Sequence, residues 1–197
     1  MRRINRALIW LRRIGHGRGF GVQSPNDYRF LRNVINQDSP FYKYDELKKT
    51  VRCHGSSERK ICQLYFRLAN FVQADFFLEI NTIADGVSDY VAAACRKTKN
   101  IRISLPTTQM PENCKGKVLL VRCSLEPDVE ELLMQIIMNS DERTVIVSDH
   151  IYQNDEVLEY WNRISNDKHV TISYDLYHCG ILLMENRRYK KKYFVNF

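Results

Sequence analysis

The side chains best placed to do chemistry are Asp149 and His150, which follow the apolar run Thr144–Ser148 (TVIVS). A carboxylate beside an imidazole can act as a general base or supply part of a metal site. The other reading is that Asp149 caps the helix that follows, or that both residues line a solvent-filled cleft. No third ligand is evident, and an open metal site needs about three, so no metal is expected. Asp175 and His178, in DLYHCG, have the spacing of a turn closed by aspartate. The run Gly15–Gly21 (GHGRGFG) has the composition of a phosphate cradle, yet no strand precedes it. His16 within it, and Gln23-Ser24-Pro25 after it, can either roof a pocket or simply connect. Six cysteines (Cys53, Cys62, Cys95, Cys114, Cys123, Cys179) show neither CxxC nor Cys/His ligand spacing. They point to no disulfide framework or zinc site, and a reducing, cytoplasmic compartment fits them best.

These residues need a scaffold, and hydrophobic periodicity supplies a reading of it. Residues 3–14 form a short basic amphipathic helix, with Ile4, Leu8 and Leu11 on one face. Helices are expected at Asn26–Val34, Tyr44–Val51 and Arg59–Phe71. In the last of these, Ile61, Leu64, Tyr65, Leu68 and Phe71 mark a core-facing stripe. Beyond residue 72, short apolar strands alternate with helices. Strands are expected at 76–80, 101–105, 117–122, 144–148, 170–174 and 180–184, and helices at 87–97, 128–138 and 156–164. Such alternation predicts a mainly parallel sheet covered on both faces. The last two strands are separated only by Asp175–Cys179, too short for a crossover helix, so they should be antiparallel neighbours. Trp161, beside Val157, Leu158 and Ile164, is expected in the core. The organisation predicted is an N-terminal helical segment over 1–72 packed on an α/β core over 73–197, together one domain.

Apolar residues make up 44% of the 197, enough to build one hydrophobic core and to exclude wholesale disorder. The net charge of +7 is concentrated at the ends, in Arg2, Arg3, Arg6, Arg12, Arg13 and Arg18, and in Arg187 to Lys192. Clusters of this kind can meet the phosphates of nucleic acid or of an anionic membrane, or remain a solvated surface. Tyr189 and Tyr193 lie among the C-terminal lysines, but the aromatic interleaving used by single-strand binders is lacking. No transmembrane segment is expected, because no run reaches the ~20 apolar residues a bilayer requires.

Three stretches resemble a bacterial family of class I S-adenosylmethionine (SAM) methyltransferases that carries an N-terminal HGxGxxSP segment. The first is HGRGFGVQSP (His16–Pro25) with YRFLRNVI and SPFYKYDEL after it. The second is KICQLYFRLANF leading into FFLEI. The third runs from TVIVSDHIY through EVLEYWNRI and VTISYDLYHCGILLM to the closing YFVNF. The resemblance implies a Rossmann-like sheet, mainly parallel with an antiparallel last strand. It also implies SAM as cofactor, a small-molecule substrate, and Asp149 and His150 at the catalytic positions.

The resemblance assigns cofactor contacts to Glu79, Asn81, Gly86 and Ser104, and at these positions the chain departs from the family. The loop after the first strand resembles ELGTSLGI in the family but reads Glu79-Ile80-Asn81-Thr82-Ile83-Ala84-Asp85-Gly86 here, with one glycine left. Close approach of backbone to a ligand favours glycine. The second strand ends in Ser104-Leu105-Pro106-Thr107-Thr108, with no acid to hold the ribose hydroxyls. A helix–strand unit is missing between Leu105 and Lys117, and the family's FIDG-like strand end has become Val121-Arg122-Cys123-Ser124. Together these imply a degenerate member with impaired cofactor binding. The alternatives are an active methyltransferase on a small molecule and a basic-surface binding module.

Overall fold

The computed structural model describes Arg13 and residues 22–37, 39–51, 53, 55–83, 85–185 and 189–197. The expected helix over 3–14, apart from Arg13, and the glycine run with His16 lie outside the described residues.

Helix α1 (Pro25–Phe30) starts where Ser24 accepts a hydrogen bond from the Asp27 amide and proline fills the first turn. It continues as a π-turn over Leu31–Ile35. The buried Arg67 guanidinium donates to the carbonyls of Val34 (2.5 Å) and Ile35 (3.1 Å), satisfying the end of that turn. Helices α2 (Lys43–Thr50) and α3 (Ser56–Val72) follow, and α3 buries the stripe predicted from its periodicity, save the exposed Phe71 and the partly buried Ile61. Strand β1 (Phe76–Ile80) leads to α4 (Val87–Ala94), β2 (Lys99–Ile103) and β3 (Leu119–Ser124). Only a three-residue 3-10 turn, Glu112–Cys114, lies between β2 and β3, where the sequence spacing left no room for a helix–strand unit. Then come α5 (Glu130–Asn139), β4 (Val145–Asp149), α6 (Asp155–Ser165), β5 (Ile172–Asp175), β6 (Cys179–Leu183) and β7 (Lys191–Phe194).

The seven strands form one sheet in the order β2-β1-β3-β4-β6-β5-β7. Pairing is parallel throughout except at β6, which runs antiparallel to both β4 and β5. β6 is thus slotted between its neighbours. One strand more, β7, follows it and lies parallel to β5 at the sheet edge. β7 carries Lys191 and Lys192 and is only half-buried, as an edge strand is. β2 begins two residues before its expected position. Among the described residues its outer side meets no strand, so Lys99 and Arg102 are tolerated within it, and a turn closed by the Thr107 amide on the Ser104 carbonyl takes the residues after it.

Side chains alternate across the sheet, as strand geometry dictates. Phe77, Leu120, Val145 and Val147 face the core built with the π-turn and α2–α4. Leu78, Val121 and Ile146 face the core built with α5 and α6, where Trp161 is buried as expected. The same parity puts Glu79, Arg122 and Asp149 on the α3 side, one step beyond Phe77, Leu120 and Val147.

Candidate functional site

Those three charged residues sit at the carboxyl ends of adjacent strands, the place where open α/β sheets present their ligand crevices. In register, Glu79 lies between Arg102 on β2 and Arg122 on β3. Its carboxylate accepts from Asn100 Nδ2 (2.9 Å) and Arg102 Nε (3.1 Å), and lies 3.7 Å from Arg122. Only 2% of Glu79 and 4% of Arg122 is exposed. Arg122 donates through Nε to Asp149 Oδ2 at 2.7 Å, and through both terminal nitrogens to Asp85 at 2.7 and 2.6 Å. One guanidinium therefore binds three carboxylates from three segments of chain. Asp85 is presented by the loop that ends at Gly86, whose φ of 84° is left-handed and suits a residue without Cβ. From α3, the Tyr65 hydroxyl donates to Asp149 Oδ1 at 3.2 Å, and the Arg122 guanidinium carbon lies 5.5 Å from the Tyr65 ring centroid.

Burial and charge act together on these groups. Burial works against the charge on Arg122, but the Asp85 hydrogen bonds and neighbouring negative charges outweigh it and raise the pKa. Burial pushes the Tyr65 phenol well above its ordinary value, and the charge of Asp149 adds to the rise. Burial likewise raises the Cys123 thiol to about 12.

Each residue singled out from the sequence can now be placed. Asp149 lies in the ion cluster and does not cap the next helix. That role belongs to Asn154, whose side chain accepts from the Val157 amide at 2.8 Å. His150 follows it with a left-handed φ of 55° and is exposed, and no hydrogen bond joins its ring to Asp149 among the described residues. Asn81 also takes left-handed geometry (φ 48°), and its Nδ2 donates to Glu126 Oε2 at 2.9 Å. Ser104 is exposed, and its carbonyl accepts from the Thr107 amide and hydroxyl. Asp175 closes its turn by accepting from the Tyr177 amide at 2.9 Å, and it pairs with Arg13 at 3.0 Å. No group of three or more metal-ligating side chains converges among the described residues.

A cavity of about 610 Å³ opens beside the cluster, above the ends of β3 and β4 and between the start of α5 and α6. It brings together Asn81, Asp149 and His150 with Asp85 and Arg122, while Glu79, Gly86 and Ser104 lie outside its lining. Arg122 is the residue that sequence reading passed over. Its signal was a guanidinium inside an otherwise apolar run, LLVRCS, where an unpaired charge is costly to bury.

No family model matches the chain, and no curated protein matches it in sequence. Among solved structures, a Klebsiella pneumoniae protein assigned as an O-methyltransferase superposes with a TM-score of 0.51 at 11% identity. The match covers 77% of this chain and 93% of that one. The SAH-bound methyltransferase PaMTH1 of Podospora anserina gives a TM-score of 0.42 at 13% identity, over 86% of this chain and 97% of that one. The fold is the Rossmann-like fold of class I methyltransferases. No helix among the described residues is long and apolar enough to cross a membrane.

Proposed function

We propose that this chain keeps a methyltransferase fold but has lost the binding of SAM, its own ion pairs occupying the cofactor cleft. The observation that carries the reading is Arg122, buried and held by Asp85, Asp149 and Glu79. Glu79 is the residue that would receive the ammonium of the cofactor. Its Oε2 is already engaged by Asn100 and Arg102 and its Oε1 lies 3.7 Å from Arg122, so an incoming ammonium would meet like charge at a carboxylate already paired. The backbone at Asn81 has the left-handed geometry a glycine would supply. It also carries a side chain bonded to Glu126 in the space where a ligand would approach. Ser104 offers a hydroxyl where a ribose needs a carboxylate, and charge-assisted hydrogen bonds are roughly twice as strong as neutral ones. Asp149 is committed to Arg122 and Tyr65, so it is not free to accept a proton from a substrate.

The residues present do not fit the adenosyl group, and the chain reads as a non-catalytic relative. A thermal-shift and calorimetric titration with SAM and its demethylated product tests this. A working site with Kd near 10 μM would stabilise the fold by ~2.7 kcal/mol at about 1 mM ligand, raising Tm by roughly 5–10 °C for a chain of this size. The expected result is no shift and no saturable heat. Saturable binding of either ligand would overturn the proposal and restore Asp149 and His150 as candidates for methyl transfer to a small molecule.

A further inference from the structure

Two of the six cysteines meet at the start of α3. Cys53 lies in the connection between α2 and α3, and Cys62 lies within the first half of α3. The Cys53 thiol donates to Cys62 Sγ at 4.0 Å, and the Cys62 thiol donates in turn to the Asp85 carbonyl at 3.8 Å. Cys95, Cys114 and Cys123 lie instead beside the side chains of Gln73, Asn113 and Ser148. Buried cysteines commonly pack as small hydrophobes, and that alone would account for Cys62, which is 0% exposed. It does not account for the asymmetry of the pair, since Cys53 is partly exposed while its neighbour is sealed. One thiol is open to a reagent in solution and a second stands behind it, the arrangement of an attacking and a resolving cysteine.

We propose that Cys53 and Cys62 form a reversible disulfide by exchange with a low-molecular-weight disulfide. The Cys53 thiolate attacks one sulfur of the small disulfide, forming a mixed disulfide at Cys53 and releasing one small thiol, which takes up a proton. Cys62 then attacks the Cys53 sulfur, and the second small thiol leaves with the proton that Cys62 gives up. Two protein thiols are oxidised, and one small disulfide is reduced to two thiols. Burial holds the Cys62 pKa well above the ordinary thiol value, and negative charge on Cys53 raises it further. The mixed disulfide removes that charge, so the first step eases the second. A bond requires ~2.05 Å between the sulfurs, so the pair must close by about 2 Å. Cys53 lies outside any helix, and a Cβ placed on Gly55, between it and α3, would meet nothing within 4 Å, so the connection has room to give. Transient disulfides of this kind are the ones a reducing compartment tolerates. The inference goes beyond the loss of adenosyl binding, and the two can fail separately, since ligand titration and disulfide mapping read different sites.

The full chain is equilibrated in mixtures of oxidised and reduced glutathione, its remaining thiols are alkylated, and it is cut with trypsin for mass spectrometry. Cleavage after Arg59 and Lys60 separates the two cysteines, so the disulfide joins the peptides Cys53–Arg59 and Ile61–Arg67. That joined pair is the expected main product, and excess dithiothreitol should undo it. Because the fold holds the two sulfurs together, the bond should form roughly tenfold more readily in the folded chain than in the chain unfolded by urea. Linkage then requires the oxidised chain to unfold at a higher urea concentration than the reduced one. Cys62→Ala should stop at the mixed disulfide on Cys53. Cys53→Ser, at a partly exposed position, should keep the reduced parent's urea midpoint and gain nothing from oxidised glutathione. The inference is overturned if all six thiols stay free in oxidised glutathione, or if a different pair predominates. It is equally overturned if glutathione remains on Cys53 of the parent chain, or if folded and unfolded chains form the bond to the same extent.

Discussion

Among the described residues, Arg122 is the only cation shared by Glu79, Asp85 and Asp149, and all four groups lie at the buried end of the sheet. Charges removed from water are kept stable there by mutual attraction and by filled hydrogen bonds, and removing one partner leaves the others uncompensated. Arg122→Met keeps much of the side-chain volume but abandons three carboxylates. It should cost ~3–5 kcal/mol, measured as a lower midpoint in urea at unchanged m-value. Arg122→Lys keeps the charge but cannot span Asp85 and Asp149 with a planar fork, so an intermediate loss is expected. Were both variants as stable as the parent, the cluster would be ornamental and the cleft open to other occupants. That an arginine in LLVRCS needed acids was legible from its apolar neighbours. Which acids, and that Asp149 would be among them, depended on strand parity and on β1, β3 and β4 lying side by side.

At the scale of elements, β6 shows how one small residue fixes a helix. A Cβ on Gly180 would lie 2.3 Å from the Trp161 ring, so α6 rests its tryptophan directly on the β6 backbone. Gly180→Ala must push that ring away and should destabilise the fold by ~1–3 kcal/mol, seen in urea unfolding together with altered Trp fluorescence. An alanine variant with parental stability would mean the two elements are not in close contact. Sequence alone marked Trp161 as a core residue from its helical neighbours, but nothing in the GILLM run named the surface it packs on. The antiparallel pairing of β5 and β6 was legible from the short Asp175–Cys179 connection. The insertion of β6 between β4 and β5 was not, since a hairpin's place in a sheet depends on partners distant in sequence.

Across the whole molecule, buried thiols and phenols set the response to alkali. Burial raises Cys123 from 9.0 to about 12 and Tyr90 from 10.0 to about 12, and Cys62 and Cys179 move in the same direction. Below pH 9 these groups are protonated in both folded and unfolded chains, and their contribution to stability is intact. Above it the unfolded chain releases protons that the folded one retains, so stability falls as pH rises, at least until Cys123 and Tyr90 ionise near 12 in the folded chain. Each such group costs ~1.4 kcal/mol for every pH unit crossed. Urea midpoints from pH 7 to 10.5 should therefore be flat to about 9 and then decline. Cys123→Ser should soften that decline, and a midpoint independent of pH across the range would contradict it.

The sequence by itself determined the kinds of elements and their order. Strand and helix periods, the short connection between β2 and β3, and the run Ser104–Thr108 without an acid after β2 are local properties of the chain. Tertiary structure alone decided that Glu79, Asp85, Arg122 and Asp149, spread over seventy positions, would become one buried cluster. Parallel strands bring such residues together through crossover connections, and a charge pairs with whatever the neighbouring strand presents at its own level.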